Sequence, residues 1–388
     1  MNARKRSVTM NDVASQAGVS IKTVSNVIND WPYITDETRQ KVLEAIEAVG
    51  YRPNRMARSL VTGETRTIGV VIPDVANPFF GTAVRACEDV LYENGYSIFL
   101  CNTSEDLDRE RYYLDQLLSR GVDGLILWGT RICCSELERL IGADTPLVTV
   151  ELGEEPAGTH HTAINVDDIG GAEWIVAHLI AEGHRAIAHI AGPQSRITPQ
   201  RRREGYLRGL RAAGLTPDDS YLLTEEPSVA GGFRAATALL NRPRRPDALF
   251  CYNDLMAEGA LLAARRLDLR VPDDLAVAGF DDIETASIVD PPLTTVRISQ
   301  TGLGRFAGEA LLSRLQSPAG RGSQETSRAH GPTSALYPVE LIIRGSSSKG
   351  RLTDQERRTT LEQLVASFIS PATTAPANHT PLPAEKSE

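Results

Sequence analysis

Two sets of residues combine side-chain types at spacings that could do chemistry. The first lies in "GVSIKTVSNVIND", residues 18–30, where Ile21, Lys22, Ser25 and Asn26 would share the outer face of a short helix. An ammonium, a hydroxyl, a carboxamide and one branched apolar group suit the edges of DNA bases. Lys22 can donate to guanine O6 and N7, Ile21 can touch a thymine methyl, and the Asn26 carboxamide suits adenine. Thr23 and Asn29 suit phosphate oxygens, contacts that position a reader without reading sequence. Thr9 and Ser20, at the starts of two helices, complete this DNA-facing set.

The second set is dispersed. Asp74, Asn77, Phe79 and Phe80 lie in "IPDVANPFF", and Arg196, Thr198 and Arg202 in "PQSRITPQRRREG". Asn253 and Asp254 lie in "CYND", and Asp281 in "GFDD". These positions fall near the ends of expected strands, and strand ends at a topological switch are the usual ligand crevice of open α/β sheets. A flat aromatic face beside a carboxamide or carboxylate suits a sugar ring, whose C–H faces stack while its hydroxyls hydrogen-bond. The arginines also admit a carboxylate or phosphate on the ligand. Asp74 and Asp281 facing each other would also resemble a glycosidase pair. No GxSxG, HExxH or GxxxxGK[ST] motif supports catalysis, and neither enzyme activity nor a cofactor is expected. The adjacent His160 and His161 are expected on the surface, without the further ligands a metal needs.

These sets need scaffolds. "TMNDVASQA", residues 9–17, predicts a helix capped by Thr9 with Asp12 at the capping-box position. Gly18 breaks it, and Ser20 caps a second helix that turns Val24, Val27 and Ile28 inward. "TDETRQKVLEAIEAVG" predicts a third helix from Thr35 to Gly50, with the apolar stripe Val42, Leu43, Ile46 and Val49. The helix–Gly turn–helix spacing of residues 10–28 is that of a DNA reader whose second helix enters the major groove. Asn54 can cap a fourth short helix, "NRMARSL".

From Thr67 the texture changes. "TIGVVIPD", "SIFLCN", "GLILWG", "PLVTVE", "AIAHIAG" and "ALFCYN" are short apolar runs suited to buried parallel strands. Amphipathic helical stretches alternate with them, the doubly wound α/β pattern, over a length sufficient for two sheets. Residues 317–334 read as a surface loop and 371–388 as a disordered tail. Between them, Leu361, Leu364, Val365 and Phe368 form a weak apolar stripe.

Residues 1–60 hold nine Lys or Arg against six Asp or Glu, a net +3, while the whole chain is −9. A basic head on an acidic body implies that only the head meets phosphates. The five cysteines are odd in number and form no CxxC, so reduced thiols are expected. No apolar run is long enough for a membrane span and the N-terminus lacks a signal peptide's apolar core, so a cytoplasmic, nucleoid-associated protein with no membrane partner is expected.

Taken in order, "VTMNDVASQAGVSIKTVSNVIN", "TRQKVLEAIEAVGYRPNRMARSL", "IGVVIPDVANPFF", "GHRAIAHIAGP", "RRREGYLRGL", "CYNDLMAEGAL", "VPDDLAVAGFDD", "PPLTTV" and "ELIIRGSS" resemble the LacI/GalR family of bacterial transcription regulators over residues 8–346. The resemblance implies a small all-α helix-turn-helix head plus hinge helix, joined to a two-lobed α/β periplasmic-binding-protein-like domain with doubly wound parallel sheets. It implies a homodimeric repressor that binds near-palindromic double-stranded operator DNA and answers to a small effector, a sugar or sugar derivative.

By that resemblance Ile21 and Lys22 take the main specificity positions. Asn26 departs from the family's commonest pattern, which has Arg there. Leu60 aligns with the leucine that paired hinge helices wedge into the minor groove, with Asn54 and Ala57 beside it. Arg202 aligns with the ligand arginine, and Arg202 and Asp281 are the foremost second-lobe ligand contacts. The implied domains are a head at 1–52, a hinge at 53–66, an effector and dimerisation domain at 67–346, and an extension at 347–388. Lobe 1 would hold about 67–164 and 297–325, and lobe 2 about 165–296 and 326–346. The body alone would also fit a sugar-binding receptor or a sugar-acting enzyme.

Overall fold

The computed structural model describes residues 8–29, 31–51, 63–142, 145–152, 161–316 and 333–348 of the 388-residue chain. Residue contacts divide the chain into two units, 1–65 and 66–388.

The described part of the first unit carries three helices: α1 (Met10–Ala17), α2 (Ile21–Ile28) and α3 (Asp36–Val49). The Asp12 carboxylate reaches back to accept from the Thr9 backbone N–H at 2.7 Å and its hydroxyl at 2.8 Å. Gly18 ends α1 at φ +66°, a left-handed conformation that glycine adopts without steric penalty. Two residues later Ser20 Oγ accepts from the Thr23 N–H at 3.0 Å and starts α2. So short a helix bonds few of its own end groups, and its place depends on packing. Val13, Ala14, Val24, Val27, Val42, Ala45 and Tyr51 are the buried core, with Ile28, Ile46 and Val49 packed against it. Leu43, expected in this stripe, is 49% exposed, and Ala45 takes the inward position.

The second unit is built on two parallel sheets. The first has the order β11-β5-β4-β3-β1-β2. Its strands are β1 (Thr67–Ile72), β2 (Ser97–Asn102), β3 (Gly124–Trp128), β4 (Leu147–Val150), β5 (His161–Val166) and β11 (Thr333–Tyr337). The second has the order β7-β6-β8-β9, from β6 (Ile187–Ala191), β7 (Leu222–Thr224), β8 (Ala248–Cys251) and β9 (Ala276–Ala278). An antiparallel pair, β10 (Thr295–Arg297) and β12 (Glu340–Ile342), lies beside them. The connecting helices are α4 (Pro78–Glu93), α5 (Leu107–Ser119), α6 (Cys134–Ile141), α7 (Asp168–Ala181), α8 (Ile197–Ala212), α9 (Val229–Leu240), α10 (Asp254–Arg266) and α11 (Gln300–Leu315). The strand order reverses beside β1 and β6, so the segments leaving β1, β3, β6 and β8 flank switch points. No helix among the described residues is long and apolar enough to cross a membrane.

Several expectations are corrected here. Residues 333–337 form β11 of the first sheet, not part of the second lobe, and they convert the end of the expected 317–334 loop into strand. Residues 317–332 lie outside the described residues, as do 349–388 with their apolar stripe. Ser347 is fully buried, bonded to His178 Nε2 at 2.7 Å and Thr294 Oγ1 at 2.6 Å, so the body extends past residue 346. His161 is buried in β5, its ring Nε2 2.7 Å from Thr149 Oγ1 on β4, rather than exposed; burial lowers its pKa to about 4 and keeps it neutral. β2 is an edge strand that leaves Phe99 and Leu100 exposed, where a buried strand was expected.

Candidate functional site

The head presents the first set of residues. Ile21 is 48% exposed and Lys22 is exposed beside it at the start of α2. Ser25 and Asn26 follow one turn later, partly exposed. The Asn26 carbonyl accepts from the Trp31 N–H at 3.0 Å, while Ser25 Oγ accepts from Asn29 Nδ2 at 3.4 Å. Thr23 Oγ1 lies 2.8 Å from Ser20 Oγ, so both hydroxyls are engaged in the cap that sets the helix start. Thr9 does the same for α1. Two exposed side chains in the first turn, held by a cap, are what a helix needs to offer its N-terminal end to a groove. Asn54, Ala57 and Leu60 lie outside the described residues.

The body gathers the second set. Asp74, Asn77, Phe79, Phe80, Arg196, Thr198, Arg202, Asn253 and Asp281 line one cleft. The strands that position them end on its two sides: β1 on one, and β6, β8 and β9 on the other. Asn77 caps α4, accepting from the Phe79 N–H at 3.0 Å, and Asn253 caps α10, accepting from the Met256 N–H at 3.0 Å. Phe80 meets Phe79 and Trp128 edge to face, at 5.3 and 6.4 Å between ring centres.

Arg202 is the hub. Its Nε donates to Asp168 Oδ1 at 2.8 Å, and its Nη1 donates to the Tyr252 carbonyl at 2.7 Å and Asp281 Oδ1 at 3.0 Å. Its guanidinium lies 3.7 Å from the Phe280 ring centre and 4.8 Å from that of Tyr252. Burial disfavours its charge, but Asp281 and Asp168 outweigh burial and raise its pKa. The same burial pushes Asp281 up to about 6 despite Arg202. Across the cleft, Arg196 Nε lies 2.8 Å from Glu105 Oε2 in the loop after β2. Any side chain added to Gly129, after β3, would approach Arg196 Nη1 to 3.2 Å.

Asp254 is corrected: it does not line the cleft. It is fully buried, accepting from Thr295 Oγ1 at 2.6 Å and the Ile283 N–H at 2.9 Å. Asp282 is structural as well, paired with Arg297 and Arg344 at 2.7 Å each. The sequence reading missed Glu105, Glu151, Pro227 and Tyr252, which line the same cleft. Tyr252 immediately precedes the flagged Asn253 in "CYND", and Glu151 ends "PLVTVE"; the rule that found the others, a polar residue at a parallel strand's end, also covers Glu151.

Residues 9–54 match the family model of bacterial regulatory proteins of the lacI family. Residues 176–347 match that of the periplasmic binding protein-like domain. Over 311 residues the chain is 40% identical to the ribose operon repressor of Escherichia coli (strain K12), covering 80% of this chain and 94% of that repressor.

The chain belongs to the lacI family.

Among solved structures, this lacI-family chain is similar to the lac repressor dimer bound to operator and the anti-inducer ONPF. The TM-score is 0.76 at 28% identity, covering 88% of this chain and 99% of that one. It is also similar to a LacI family transcriptional regulator from Enterococcus faecium with bound ribose. There the TM-score is 0.63 at 28% identity, covering 73% and 98%.

Proposed function

We propose that the protein is a sequence-specific DNA-binding repressor whose affinity for a near-palindromic operator is set by a sugar bound in the cleft of its body. The observation that carries this reading is the pairing, in one chain, of a capped helix presenting Ile21 and Lys22 with a cleft lined by Asp74, Asn77, Arg202 and Asp281. Ribose is the first effector to test, since a relative 40% identical is a ribose operon repressor. The pocket between the lobes measures about 30 Å³, roughly one water's share of liquid volume. A sugar therefore enters by parting the lobes or turning Arg196 away from Glu105, and either movement changes how the lobes meet.

A homodimer fits the exposed apolar surface. Phe99 and Leu100 on β2 form one patch. A groove lined by Val229, Phe233 and Leu262, with Arg234, Arg265 and Arg266, forms another on α9 and α10. Such patches on a chain of this kind suit a two-fold interface with a second copy. The protein acts on chromosomal DNA in the cytoplasm, and the cleft serves binding, not catalysis.

Selection of binding sites from random duplexes tests the DNA half. An inverted-repeat operator is expected, and Asn26→Arg should change the preferred base at one position in each half-site while Lys22→Ala relaxes the guanine preference at another. Failure to enrich any repeat would overturn the assignment. A thermal-shift screen of sugars tests the other half, since a ligand that binds the folded state raises its melting temperature.

A further inference from the structure

Among the described residues, the Glu151 carboxyl lines this cleft without a hydrogen-bond or ion-pair partner. Glu151 is 7% exposed and lines the cleft, yet its carboxyl makes no hydrogen bond or ion pair with a described residue. Its backbone N–H is fixed to the Ile164 carbonyl at 2.7 Å, and its φ of +62° lies in the left-handed region that residues other than glycine rarely adopt. Strain of this kind, held by a strand end, concentrates at ligand-facing positions.

The groups facing Glu151 come from every side. Asp168 begins α7, Arg196 and Arg202 belong to the start of α8, Tyr252 follows β8 and Asp281 follows β9. Asp74 and Glu105 line the same cleft from the first lobe. Both arginines are already engaged, Arg202 by Asp168 and Asp281, and Arg196 by Glu105. Glu151 is thus a buried acid among acids with no cation of its own. Burial above all, then Asp168 and Asp281, push its pKa up to about 7 against the pull of Arg202 and Arg196.

We infer that effector binding is coupled to loss of a proton from Glu151, whose ionised carboxylate then accepts hydroxyl hydrogens of an uncharged sugar. The proton passes to solvent. The sugar's O–H groups supply the donors that the fold withholds, and a sugar phosphate or acid, adding a like charge to this ring, is disfavoured. This inference rests on the sugar reading above.

Calorimetric titration of the full chain with D-ribose, or with the first binder from a pentose and hexose panel, tests it at pH 6 and 8 in two buffers of different ionisation heat. Binding should be about tenfold weaker at pH 6, following the ionised fraction of a group with its midpoint near 7. At pH 7 about half a proton should be released per sugar bound. Glu151→Gln should abolish both effects, and Glu151→Asp should retain the release. Should the Gln variant not fold, the wild-type proton count and the Asp variant still decide. Binding without proton release, or a Gln variant that keeps the tenfold step, overturns the coupling while leaving the sugar reading intact. If no sugar in the panel binds, the sugar reading falls and the coupling with it.

Discussion

At Arg202 one cation serves two carboxylates, a carbonyl and two ring faces. Such a residue cannot be removed without leaving Asp168 and Asp281 as buried, unpaired acids. Its importance was legible through the resemblance to the LacI/GalR family, and Asp281 came with it. Glu151 was not singled out, because one carboxylate at the end of one strand looks like any surface acid until the opposing carboxylates are in place. Asp254 misled for the converse reason. It adjoins a true cleft residue, but a one-residue step along the chain turns its side chain onto Thr295 and Ile283.

The raised pKa of Glu151 has a stability consequence. A carboxyl whose folded-state pKa exceeds its unfolded value favours folding below about pH 4.3, and that contribution is lost as pH rises toward 7. Glu151→Gln should therefore stabilise the protein more at pH 8 than at pH 4.5, by up to about 3 kcal/mol. Denaturant melts at the two pH values check it; an equal effect at both would contradict the proposed environment of Glu151.

At the scale of elements, β1 to β4, β6 and β8 followed from apolar runs and the head's caps were readable residue by residue, whereas β5, β7 and β9 to β12 were not expected. The register of the late strands was not readable. β11 and β12 are separated by two residues yet pair with strands of different sheets, a choice made by long-range partners that no local pattern encodes. Helix contacts are likewise invisible in a period. On α9 and α10, a Cβ at Gly232 would stand 2.1 Å from the Met256 carbonyl, and one at Gly259 equally close to that of Val229. The two helices meet backbone to backbone, with no flexible side chain to give way. Gly232→Ala should lower stability by about 1–3 kcal/mol, the usual penalty for overpacking. A melting temperature within a degree of wild type would show that the helices separate easily.

For the whole molecule, the basic head and the acidic body divided the labour before any geometry was known, and the lacI-family membership agrees with that division. We propose that effector binding changes how the lobes meet and that residues 53–66 carry the change to the head. Any such coupling is reciprocal: if the sugar alters operator affinity by a given factor, operator alters sugar affinity by the same factor. Leu60→Ser separates the halves, since it should weaken operator binding at least tenfold and leave sugar affinity unchanged. The central claim is tested most directly by operator affinity measured by fluorescence anisotropy at one fixed salt concentration, with and without saturating ribose or the sugar the thermal screen selects. The account predicts a change of about tenfold or more, matching a coupling of about 1.4 kcal/mol or more. A sugar that demonstrably binds yet leaves operator affinity unchanged would contradict it.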